Sequence, residues 1–104
     1  MFIELTEKEL PIVKKVLEMA LLIKGKEKLE GDEYDIVKRV GRELSIFMKS
    51  GGGDLEIYLD EKESIAVMYA FRLVFSLGKL TKKEHKIAHK IYKIMNYRYI
   101  LLHL

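Results

Sequence analysis

Leu59-Asp60-Glu61-Lys62-Glu63-Ser64-Ile65-Ala66-Val67-Met68-Tyr69-Ala70-Phe71-Arg72-Leu73-Val74-Phe75 is the stretch on which the fold turns. It opens with a helix-start pattern, Asp60 followed three residues later by Glu63. There the first side chain accepts from the amide of the third helical residue, and the Glu reaches back to the cap amide. Eleven residues follow that are apolar on nearly every side of a helical projection, with Arg72 the only charge. A helix that is apolar all round has to be buried all round. The segment from Ile65 to Leu77 has 13 residues, short of the roughly 18–20 needed to span a bilayer, so burial in protein is the expectation.

The same arrangement occurs earlier in the chain. Leu5-Thr6-Glu7-Lys8-Glu9 matches Leu59-Asp60-Glu61-Lys62-Glu63, and Val16-Leu17-Glu18-Met19-Ala20-Leu21-Leu22-Ile23 repeats the all-round apolar helix with Glu18 as its lone charge. Each motif follows a short alternating apolar run, Phe2-Ile3-Glu4-Leu5 and Leu55-Glu56-Ile57-Tyr58-Leu59. Each is followed by a second, one-sided amphipathic helix. Leu29–Leu44 aligns with Leu80–Met95, which puts Ile36 on Ile87, Val37 on Ala88 and Val40 on Ile91. The expectation is a mainly α, single-domain protein. Two tandem strand–helix–helix units, 1–50 and 54–96, form a four-helix bundle by internal duplication, with a minor two-stranded ribbon, a linker at 51–53 and a docking tail at 97–104.

Helices are expected over 7–24, 32–49, 61–77 and 82–96. Thr6 with Glu9 and Thr81 with Glu84 repeat the capping spacing, and Asp32 after Gly31 is expected to open the second helix by the same chemistry. Pro11 conflicts with a helix from residue 7, because it removes a backbone donor and crowds the preceding turn. A tight turn over 7–10, with the helix beginning near Leu10, is the expected outcome. Gly41 interrupts the second helix and suggests close helix approach.

Composition narrows the function. The chain has 104 residues and no cysteine, which removes disulfides and thiolate metal sites. The start is acidic within four residues and has no basic leader pattern, so a cytoplasmic protein is expected. Glutamine is absent and Asn96 is the only asparagine, a compositional trend shared with heat-adapted proteins. The net charge of +3 is uneven. Residues 1–53 balance, residues 54–78 carry a net −3, and residues 79–104 carry seven basic residues against Glu84 alone.

Two functional surfaces follow. Two all-round apolar helices exceed what four helices hide, so Leu17, Leu21, Phe71 and Phe75, with Tyr97, Tyr99 and Leu101 of the apolar tail, are expected to meet a homodimer mate or a partner protein. Glu18 and Arg72, at equivalent positions, are expected to pair, within the subunit or across a dimer, because an unpaired buried charge costs several kcal/mol. The alternative is sequence-independent nucleic-acid binding. Lys82, Lys86, Lys90 and Lys93 share one sector of the last helix, with Lys83 at its edge, Tyr97 within it and Arg98 beyond. No base-reading module is recognisable, and the same stripe could instead meet the acidic 54–63 segment of a neighbouring subunit.

Catalytic and metal chemistry find little footing, so no catalytic residue and no cofactor are expected. His85 and His89 share a helix face at i, i+4, but Lys86 stands where a metalloprotease pattern needs Glu. Only His103, Glu84 or a distant carboxylate could add a ligand. Gly51-Gly52-Gly53 lacks the following Lys of a phosphate loop and reads as a helix stop and linker. The acidic pairs Glu7/Glu9, Asp32/Glu33 and Asp60/Glu61 lie at helix starts, where the helix dipole favours them.

Overall fold

The computed structural model describes residues 1–104. The order is β1 (Phe2–Leu5), α1 (Leu10–Leu21), α2 (Asp32–Lys49), β2 (Leu55–Tyr58), α3 (Glu61–Leu77) and α4 (Lys82–Leu102). The two strands pair antiparallel, Phe2 with Tyr58, Ile3 with Ile57, Glu4 with Glu56 and Leu5 with Leu55. Met1 and Leu59 exchange both backbone bonds just beyond this register. The alternation of an antiparallel ladder then makes Ile3/Ile57 and Leu5/Leu55 the bonded pairs. It turns the backbone groups of Phe2, Glu4, Glu56 and Tyr58 to the ribbon's outer edges. Met1, Ile3, Leu5 and Leu59 lie on the buried face.

Helix starts follow local chemistry. Asp60 and Thr81 form complete capping boxes with Glu63 and Glu84. At α1 only half of the box is made: the Thr6 amide donates to the Glu9 carboxylate at 2.8 Å. Residues 7–9 form the expected turn, and Pro11 sits in the first helical turn, where its missing N–H costs nothing. The helix is shorter than the expected 7–24. It stops at Leu21 because the following loop holds Gly25 at φ 114° and the charges of Lys24, Lys26, Glu27 and Lys28, with no apolar face left to bury. Asp32 corrects another expectation. Gly31, with no side chain, occupies the cap of α2, and Asp32 is instead the first helical residue, hydrogen-bonded to Lys62 at 2.6 Å.

α1 and α3 lie against each other, and each also packs on both α2 and α4. α3 contributes most to the core, burying Ala66, Val67, Met68, Ala70, Phe71, Leu73 and Val74. Leu29, from the loop before α2, also plugs into it.

One expectation fails here, and another fails as far as contacts within the chain go. Leu17 and Phe71, taken as an interaction surface, are fully buried at the centre of this core, and Leu21 and Phe75 are half-buried against it. The reason is that α1 and α3 each pack on the three other helices, and the buried ribbon residues Ile3, Leu5 and Leu59 join the same core. Glu18 and Arg72 do not pair within the chain. Glu18 stands 3.1 Å from Lys14 with its side chain 58% exposed, and the Arg72 guanidinium lies over the Tyr69 ring at 5.7 Å. At about 100° of rotation per residue, Glu18 and Arg72 fall just past the inward pairs Val16–Leu17 and Ala70–Phe71 and point outward.

Candidate interaction surface on the last helix

α4 is held at both ends. At its start Glu84 accepts from the Thr81 amide at 3.0 Å and from Lys15 of α1 at 2.8 Å. These contacts, the Lys15 hydrogen bond foremost, hold the Glu84 carboxyl below its ordinary range. Near its end Arg98 donates to the outward carbonyl of Phe2 at 2.6 Å, tying α4 to the free edge of β1. Between these anchors Ala88, Ile91 and Met95 enter the core.

Of the two forms open to the tail at 97–104, a continued helix or an extended segment, the structure has the first: residues 97–102 continue α4. Helical phase therefore decides what each tail residue does. Tyr99 turns inward and is half-buried against the core, which removes it from the expected surface. Tyr97 and Leu101 turn outward, 65% and 52% exposed. Ile94, read from the sequence as part of the buried face, extends the same line at 39%, at steps of three and four residues to Tyr97 and Leu101, and Leu104 lies beyond the end of the helix, 94% exposed. Nearby, Phe2 and Tyr58 pack with tilted rings on the ribbon's outer face, centroids 5.0 Å apart, and both are exposed.

The same outward side of α4 carries Lys82, Lys83, Lys86, Lys90 and Lys93 in its earlier turns, all exposed. Lys90 lies 3.8 Å from Glu9 of the turn before α1. The other four have no carboxylate within ion-pair distance. Between β1 and α4 lies an open cleft of about 490 Å³ edged by Glu4, Glu9, Asp54, Lys90 and Ile94. A smaller one, about 160 Å³, lies between β2 and α2, edged by Val40, Glu43, Tyr58 and Glu63.

His85 and His89 stack on each other, rings 13° from parallel with centroids 5.7 Å apart. Both rest on Phe75, which also meets Tyr92 edge-on. Glu84 is engaged by Lys15, and His103 packs on Tyr99, so neither joins the pair. No three His, Asp or Glu side chains converge anywhere. Ser50, Ser64 and Ser76 each donate to a backbone carbonyl of a nearby residue, which makes them structural hydroxyls. No helix is long and apolar enough to cross a membrane. Compared with known protein families, with curated proteins and with solved structures, the chain matches none.

Proposed function

We propose that this chain is an internally duplicated four-helix bundle that works as a protein–protein interaction module, associating with a second copy of itself through the last turns of α4. The observation that carries this reading is the exposed line Ile94, Tyr97 and Leu101. Apolar residues at alternating steps of three and four form the seam by which one helix packs knobs-into-holes on another. The seam favours another helix as occupant, and charge favours antiparallel pairing with a second copy. A parallel mate would bring each Lys90 against its counterpart. An antiparallel mate sets Ile94 opposite the second copy's Leu101, with Tyr97 near its own counterpart, and holds the lysines apart. Phe2 and Tyr58 lie close enough to the β1 anchor of α4 to extend the contact. The expected helix-one and helix-three surface has no part in it, because its residues are spent on the core.

Duplication is supported by contacts that the sequence match did not use. With residues 1–23 matched to the chain 54 positions on, Ile3 is equivalent to Ile57, and these two pair with each other. The Phe2–Tyr58 pair then maps onto Glu4–Glu56, as a two-fold axis through the ribbon's centre requires. With α2 matched to α4 at an offset of 51, Arg39 is equivalent to Lys90, and Glu63 to Glu9. Arg39 pairs with Glu63, and Lys90 approaches Glu9. The two clefts are related in the same way.

The test is solution mass by light scattering, up to about 100 µM, where even an interface of the weak, transient class is populated. A dimer that persists at high salt and becomes a monomer in Leu101→Glu, with the helical circular dichroism unchanged, is the expected result. A wild-type monomer across that range, or a dimer indifferent to Leu101→Glu, overturns the reading.

A further inference from the structure

From the lysine sector of α4 we infer that this helix binds the phosphate backbone of double-stranded nucleic acid, without reading its sequence.

The first observation is where the lysines stand relative to the helix itself. The N-terminal end of a helix carries partial positive charge from its unpaired amides, so cations there are unfavourable and anions favourable. α2 and α3 obey this, opening with Asp32, Glu33 and Asp35, and with Glu61 and Glu63. α4 opens with Lys82 and Lys83, and has Glu84 as its only acid in that turn. That single carboxylate is already committed to Lys15 and to the Thr81 amide. The positive charge at this end is therefore held against the helix's own interest and is not neutralised within the chain.

The second observation is a control supplied by the fold. α2 and α4 flank the same central helix pair. The positions of α2 that correspond to Lys83, Lys86, Lys90 and Lys93 are Asp32, Asp35, Arg39 and Arg42. A solvent-facing flanking helix in this architecture thus tolerates mixed charge. Uniform lysine on α4 is not a requirement of being outside.

Geometry and side-chain chemistry define the ligand. Lys82 to Lys93 spans about 16 Å along a straight helix, at 1.5 Å per residue. That length matches a stretch of duplex backbone, which offers a charge about every 1.7 Å of axis. The sector holds no Arg, Asn or Gln to make paired contacts with base edges, so contact ends at the phosphates. The proposal is separable from self-association, because Lys82, Lys83 and Lys86 lie two or more turns before the Ile94–Leu101 seam.

Binding to duplex DNA and to duplex RNA of equal length is measured by fluorescence anisotropy at salt from 50 to 200 mM. About four neutralised phosphates predict a loss of affinity on the order of a hundredfold across that range. The variant combining Lys82→Gln, Lys83→Gln and Lys86→Gln should lose most of the binding and flatten the salt dependence, while its melting temperature stays level or rises. The control combining Lys38→Gln, Arg42→Gln and Lys49→Gln removes the same charge from α2 and should bind nearly as the wild type does. Binding of both duplexes points to the shared backbone, and binding of one alone identifies the helix form that fits; either supports the proposal. It is overturned if the wild type binds neither duplex at 50 mM salt, if its binding ignores salt, or if the α2 control loses as much affinity as the α4 variant.

Discussion

At the scale of single residues, caps and charge partners decide most of what can be tested. Asp60–Glu63 and Thr81–Glu84 are readable from spacing because their chemistry is local: both partners lie within one turn of the same helix. Lys15 meeting Glu84 is unreadable, because it joins residues 69 positions apart. The contact has a pH signature. Glu84 is held below its ordinary range, first by the Lys15 hydrogen bond and then by the Thr81 amide. A carboxyl with a depressed folded pKa contributes stability above its unfolded pKa, and that contribution disappears as pH falls through the folded value. Lys15→Met should therefore move the Glu84 titration up toward the ordinary carboxyl range and flatten the acid limb of the stability profile. Carboxyl-detected NMR titration and denaturant melts between pH 2 and 6, the window set by carboxylate titration, check this. Superimposable profiles would refute it.

At the scale of elements, helix existence was legible and helix ends were less so. The apolar period identified all four helices, and the bounds of α2 and α3 agree with the reading, because Gly51 and Gly78 supply positive φ just where the apolar period ends. α4 runs on past 96 to Leu102, one of the two forms the sequence left open, since Tyr97–Leu102 has no breaker and an apolar run satisfies helix and strand patterns alike. The interior glycine of α2 makes a separate prediction. Gly41 faces Leu17 across the α1–α2 contact, as the sequence suggested, but a Cβ built there would meet Leu17 at 3.8 Å, an ordinary contact distance. Gly41→Ala should thus raise stability by about 0.5–1 kcal/mol through helix propensity. A denaturant melt showing clear destabilisation would mean that the helices sit closer than this distance allows.

At the scale of the whole molecule, the two halves complete one another. The fragment 1–53 would hold β1 without its partner strand and α1 without the α3 face that covers Leu17 and Val16. The fragment 54–104 would be left with the reciprocal deficit. A two-stranded ribbon and a bare amphipathic hairpin are each marginal in water. Separate peptides should show little helical signal, and an equimolar mixture should regain much of the signal of the intact chain. Full helicity in either fragment alone would show that the core is not shared as described.

The division between sequence and tertiary structure follows the range of the forces involved. Periodicity, caps, the Pro11 turn and the strand–helix–helix order are set within a few residues, by hydrogen bonds and steric limits that the local sequence carries in full. Tertiary structure alone decided the fate of the apolar excess and of the lone charges. Leu17 and Phe71 became core, Glu18 and Arg72 faced solvent, and Tyr97 and Leu101 stayed outside while Tyr99 turned in. Burial depends on what the rest of the chain brings to each face, so a surplus of apolar residues says that something must cover them without saying whether the cover is the chain's own ribbon and helices or another molecule.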